Sequence, residues 1–149
     1  MEEDQYRELL HVVRDTPCIF QRAILTGRIA CHSAQRTHIA EREQVQCNNA
    51  LIRLQCEAWL GVLRSKSAFT LHVQDVDEPL PFAKMMRLQL GGLEGLNACL
   101  QEKGRSQESI DQMLITALEV YGDLDAVPFE TVIKNMAAFK LRPPRRKDK

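Results

Sequence analysis

The chain has 149 residues, 44% of them apolar, and 20 acidic side chains balance 20 basic ones. That length suits a single domain with its own core, and a net charge of zero argues against the one-signed field of a nucleic-acid binder. No run of 18 apolar residues occurs, so no membrane-spanning helix is expected.

The opening stretch, MEEDQYRELLHVVRD, is acidic and amphipathic and lacks the apolar segment of a signal peptide. A cytoplasmic location with reduced thiols is the expectation. Tyr6, Leu9, Leu10 and Val13 recur at helical spacing and predict a first helix over 3–14, closed by Asp15-Thr16-Pro17. A short helix from Cys18 to Thr26 follows, with Gly27 as its stop. Residues 28–46 read as a helix by propensity, through Ala30, Ala34, Gln35, Ala40 and Glu41. After Ile29, however, Ile39 and Val45 are its only large aliphatics. Such a segment needs another reason to be ordered: solvent, a cofactor or a partner. Asn48-Asn49 marks a break.

Beyond it, Leu51, Leu54, Ala58 and Val62 predict the core side of a helix over 50–64, weakened slightly by Gly61. Ser65 to Pro81 reads as irregular, with a short alternating run at Phe69-Thr-Leu-His-Val and an acidic, proline-containing loop. Residues 82–102 are leucine-rich and helical, and Gly91, Gly92 and Gly95 there suggest close helix approach or a kink. Ile110, Met113, Leu114, Ala117 and Leu118 predict an amphipathic helix over 107–121, and Pro128 opens a last one. The predicted fold is therefore all-α: a single compact bundle of about six helices with one long irregular connection near 66–81. Residues 1–141 form the helical domain, and 142–149 form a basic flexible tail.

Four of the five cysteines lie between residues 18 and 56, at spacing C-x12-C-x15-C-x8-C. This lacks the C-x2-C pairs of zinc ribbons, the bacterial ferredoxin run and the redox C-x-x-C. Cys47 and Cys56 would point to opposite sides of an unbroken helix. Cys18, Cys31, Cys47 and Cys56 converge only if the chain breaks at Gly27 and at Asn48-Asn49 and folds back on itself. They are then candidate ligands of an iron–sulfur cluster, with zinc as the runner-up, in a structural, electron-transfer or sensing role. Arg22, Arg28, Arg36, Arg42 and Arg53 are available to offset thiolate charge. The competing reading is that these are ordinary buried thiols, as Cys99 is expected to be within its leucine-rich helix. The chain is then a metal-free helical adaptor, or a homodimer paired through Arg36, Glu41, Arg42 and Glu43. An enzyme with Cys31 as nucleophile is a third reading, although the adjacent His32 diverges from it on a helix. His38 and Glu41 form a single H-x-x-E with no second copy, so a di-metal carboxylate site is not expected.

Overall fold

A computed structural model of the chain describes residues 17–39, 42–72 and 79–140. The helix expected over 3–14 and the basic tail lie outside the described residues. Helix α1 (Gln21–Leu25) leads into an antiparallel hairpin of β1 (Ala34–Ile39) and β2 (Arg42–Cys47), which pairs Ala34 with Cys47 and Ile39 with Arg42. The long α2 (Ala50–Leu71) follows. Next come α3 (Phe82–Met86), a π-helical turn at Arg87–Gly91, and α4 (Gly92–Glu102). Helix α5 (Ile110–Tyr121), a 3-10 turn at Leu124–Ala126 and α6 (Phe129–Ala138) complete the order.

The molecule is mostly helical, but it is not all-α. Ala34–Ile39 and Arg42–Cys47 pair as antiparallel strands where a helix was expected. The segment has no apolar stripe to hold a helix against the core, whereas as a strand it needs to bury little beyond Val45, which is fully buried. Its backbone groups are satisfied by neighbours. Cys18 N–H donates to Val45 O (2.9 Å), the Val45 amide donates to Gln21 Oε1 (2.7 Å), and Asn48 N–H donates to Ser33 O (2.8 Å). These long-range partners override local helix propensity.

The expected irregular connection is also shorter than 66–81, because α2 runs on to Leu71. Ser67 and Leu71 continue the buried stripe of Ile52, Cys56, Trp59 and Leu63, and the Ser67 hydroxyl donates to Leu63 O (2.6 Å). His72, at φ 57°, ends the helix in the left-handed region. Leu51, Leu54 and Ala58 face outward, not toward the core as their spacing suggested: Leu51 is 74% exposed and Leu54 58%.

The core gathers Trp59 and Leu63 of α2, Leu93, Leu96 and Leu100 of α4, Leu114 of α5 and Met136 of α6. Trp59 stacks on Phe129 with ring centroids 5.7 Å apart. Gly91 at the end of the π-helical turn and Gly95 in α4 let α6 and the residue after it approach closely. A Cβ on Gly95 would lie 2.7 Å from the Val132 Cα, and one on Gly91 would lie 3.0 Å from the Phe139 Cβ. Among the described residues no helix is long and apolar enough to cross a membrane.

Candidate metal centre

The four cysteines of the 18–56 segment come from four different pieces of backbone. Cys18 lies just before α1, Cys31 in the turn before β1, Cys47 at the end of β2, and Cys56 in the second turn of α2. The two expected breaks are where they bring the chain back. Gly27 has φ 79°, a conformation that favours glycine. Asn49 caps α2, its side-chain oxygen accepting from the amides of Leu51 (3.1 Å) and Ile52 (3.2 Å). With the hairpin, which sets Cys47 opposite Ala34, these breaks leave Cys18, Cys31, Cys47 and Cys56 lining one small cavity, together with Ile19, Phe20, Ala34, Ile52, Arg53 and Ile110. Its free space is about 10 Å³, roughly what a single water-sized sphere needs. Cys99 is apart from the set, buried in α4, as its leucine-rich surroundings implied.

Two segments, 30–33 and 109–111, are stitched together at Cys31. The Ile110 amide donates to Ala30 O (2.9 Å), and the His32 amide donates to Ser109 Oγ (3.0 Å). Ser33 Oγ donates to Asp111 Oδ2 (3.0 Å), and the Ser109 hydroxyl also bonds the Asp111 carboxylate. The backbone amides of Ser33 and Asp111 lie where they favour the ionised form of Cys31, and the Phe20 amide acts in the same direction on Cys18. Amide donors to sulfur favour the thiolate and recur around thiolate-bound metals. Cys47 Sγ lies 3.2 Å from Asn49 O.

Burial outweighs those donors. It pushes the Cys18 thiol up from 9.0 to about 11, with the neighbouring Cys31 and Cys47 adding to the rise and Arg53 opposing it. Burial raises Cys56 further still, and Cys31, Cys18 and Cys47 all contribute. Cys31 is raised by burial and by the Asp111 carboxylate, against its two amide donors. The three thiols are therefore protonated at neutral pH. For Cys31 this is the opposite of what a nucleophilic cysteine requires.

As a donor set, four sulfurs with one arginine and otherwise apolar walls suit a soft metal. Their present spacing is looser than ligation. Among the described residues no three or more His, Cys, Asp or Glu side chains are gathered closely enough to hold an ion as they stand. Of the arginines expected to balance thiolate charge, only Arg53 lines the cavity. Arg28 pairs with Glu94 (3.3 Å), and Arg36 pairs with Glu43 (3.1 Å) across the hairpin. The Arg42 side chain and Glu41 lie outside the described residues. Sequence reasoning missed Asp111 and its two serines. The available signal was Ser109-Ile110-Asp111, a cap residue and an acid at the opening of a helix. The chain matches no protein-family profile, no curated protein and no solved structure.

Proposed function

We propose that the chain holds a four-thiolate metal centre at Cys18, Cys31, Cys47 and Cys56, with a structural role. The observation that carries this reading is the lining of one cavity by four cysteines drawn from four separate segments. Thiolate sets of this kind take zinc or an iron–sulfur cluster. The free space, about 10 Å³, suits a single ion with small inward movements of the side chains, whereas a polynuclear cluster would push the walls apart. A two-stranded hairpin is marginal by itself. An ion here would tie the hairpin to α2 and to the loop clamped on the start of α5. When bound, the metal would add bonds between segments that otherwise meet through apolar contacts and hydrogen bonds.

The test is metal and sulfide analysis of anaerobically purified protein. One zinc per chain and no sulfide is the expected result, lost in Cys18→Ala, Cys31→Ala, Cys47→Ala and Cys56→Ala and retained in Cys99→Ala. Iron with matching sulfide would assign the cluster instead. A second reading is a metal-free helical interaction module. It is favoured by the looser-than-ligating arrangement of the thiols. Purified protein without metal, together with unchanged stability in Cys47→Ala, would establish that reading and overturn the first.

A further inference from the structure

Ser33 and Asp111 are 78 residues apart in the chain, yet both serve the same sulfur. The backbone amide of each lies where it favours the ionised form of Cys31. Their side chains are tied to one another, Ser33 Oγ donating to Asp111 Oδ2 at 3.0 Å. The other carboxylate oxygen accepts from the Ser109 hydroxyl, whose own oxygen accepts from the His32 amide (3.0 Å). The Ile110 amide donates to Ala30 O (2.9 Å). Residues on both sides of Cys31 are thus fastened to the start of α5, and the side-chain fasteners meet at one buried carboxylate. Cys18, by contrast, is served by the amide of Phe20, within its own turn.

By its charge alone, the carboxylate works against a thiolate at Cys31, since like charges disfavour one another. A buried acid beside a metal-binding sulfur is therefore a cost, unless its hydrogen bonds bring a larger gain. We infer that Asp111 is a positioning residue of the four-thiolate site: through Ser33 and Ser109 it holds the Cys31 loop and two backbone amides ready for the ion, without touching the ion itself. The inference rests on the metal centre proposed above. Groups that orient metal ligands from behind in this way typically change metal affinity about 10- to 100-fold when removed. The physical reason is preorganisation, because a loop that must be ordered on binding draws on the binding free energy.

Positioning and bare charge predict opposite signs, and substitutions separate them. Ser33→Ala removes one tie and keeps the charge. Asp111→Asn removes the charge but keeps an oxygen to accept from one hydroxyl, while its amide donates to the other. Asp111→Ala removes both charge and ties.

Anaerobic cobalt(II) titration of the full chain, followed by displacement with zinc, tests the inference, because thiolate-bound cobalt absorbs visible light and so reports the sulfurs directly. Zinc affinity should fall about 10- to 100-fold in Ser33→Ala and in Asp111→Ala, and by less than about threefold in Asp111→Asn. At saturating cobalt, the thiolate-to-cobalt band should weaken in Ser33→Ala, where Cys31 is no longer held in place, and keep its wild-type intensity in Asp111→Asn. A clamp that serves the fold alone would lower the melting temperature of the metal-free chain and leave affinity and spectrum at their wild-type values, which overturns the inference. Tighter zinc binding in Asp111→Asn than in the wild type also overturns it, by showing that the carboxylate acts through its charge. Both of those outcomes leave the metal centre standing. A wild-type chain that develops no thiolate-to-cobalt band overturns the metal centre, and this inference with it.

Discussion

Asp111 is buried in the first turn of α5, and its carboxylate accepts from the hydroxyls of Ser109 and Ser33 and from the Gln112 amide (2.8 Å). Burial alone would raise its pKa, but the two hydroxyls and the amide outweigh that, with His32 adding to them, and the net shift is downward from 3.8. A folded-state pKa below the unfolded one stabilises the fold at pH values above the unfolded pKa. That contribution is lost as pH falls through the folded one. Asp111→Ala leaves two hydroxyls without their acceptor and unfastens the turn that carries Cys31. It should cost about 1–3 kcal/mol at neutral pH, read by urea unfolding. Asp111→Asn should flatten the decline in stability below about pH 4. An unchanged acid profile in the Asn variant would mean that other carboxylates set the acid limb.

Helix α2, which carries Cys56, begins where Asn49 caps it, two residues after the end of β2. Asn49→Ala removes the acceptor for two amides and should lower stability by about 1 kcal/mol. Its urea midpoint should fall with no change in slope. A loss below about 0.3 kcal/mol would show that water replaces the cap fully. The break at Asn48-Asn49 was legible in the sequence, as were the helices seen over Ile110–Tyr121 and Phe129–Ala138, whose apolar residues recur at the helical period and face a core. The hairpin was not. Ala34, Gln35 and Gln46 favour helix locally, and the strands are held by Cys18, Gln21 and Ser33, which are distant in sequence or lie outside the strands themselves. The outward stripe of α2 was legible as a stripe but not in its direction. Leu51 and Leu54 have the same period as Ile52 and Cys56, and periodicity alone does not say which stripe meets the core. The two breaks were legible, but Cys31 and Cys47 are brought to one side by the unforeseen hairpin, which sets Cys47 opposite Ala34, and the clamp at Asp111 depends on a contact between segments 78 residues apart.

For the molecule as a whole, the thiols give a titration that separates the two functional readings. In the metal-free chain, Cys18 ionises at about 11 against an ordinary 9.0, and Cys31 and Cys56 are raised in the same direction. The unfolded chain ionises first, so it gains relative to the fold as pH rises past 9.0, and the gain levels off above the folded-state values. The loss for Cys18 alone is on the order of 2 kcal/mol, repulsion from Cys31 and Cys47 included. Ligation replaces these protons with metal. It should therefore remove the alkaline decline and make zinc affinity climb with pH as the protons are released. The measurement is urea unfolding at a series of pH values from neutral to strongly alkaline, with and without zinc, alongside proton release on zinc addition in weak buffer. A zinc-dependent flattening with several protons released per chain supports the metal centre. Coincident profiles and no release would leave the four thiols as the lining of a dry cavity and would favour the metal-free interaction module.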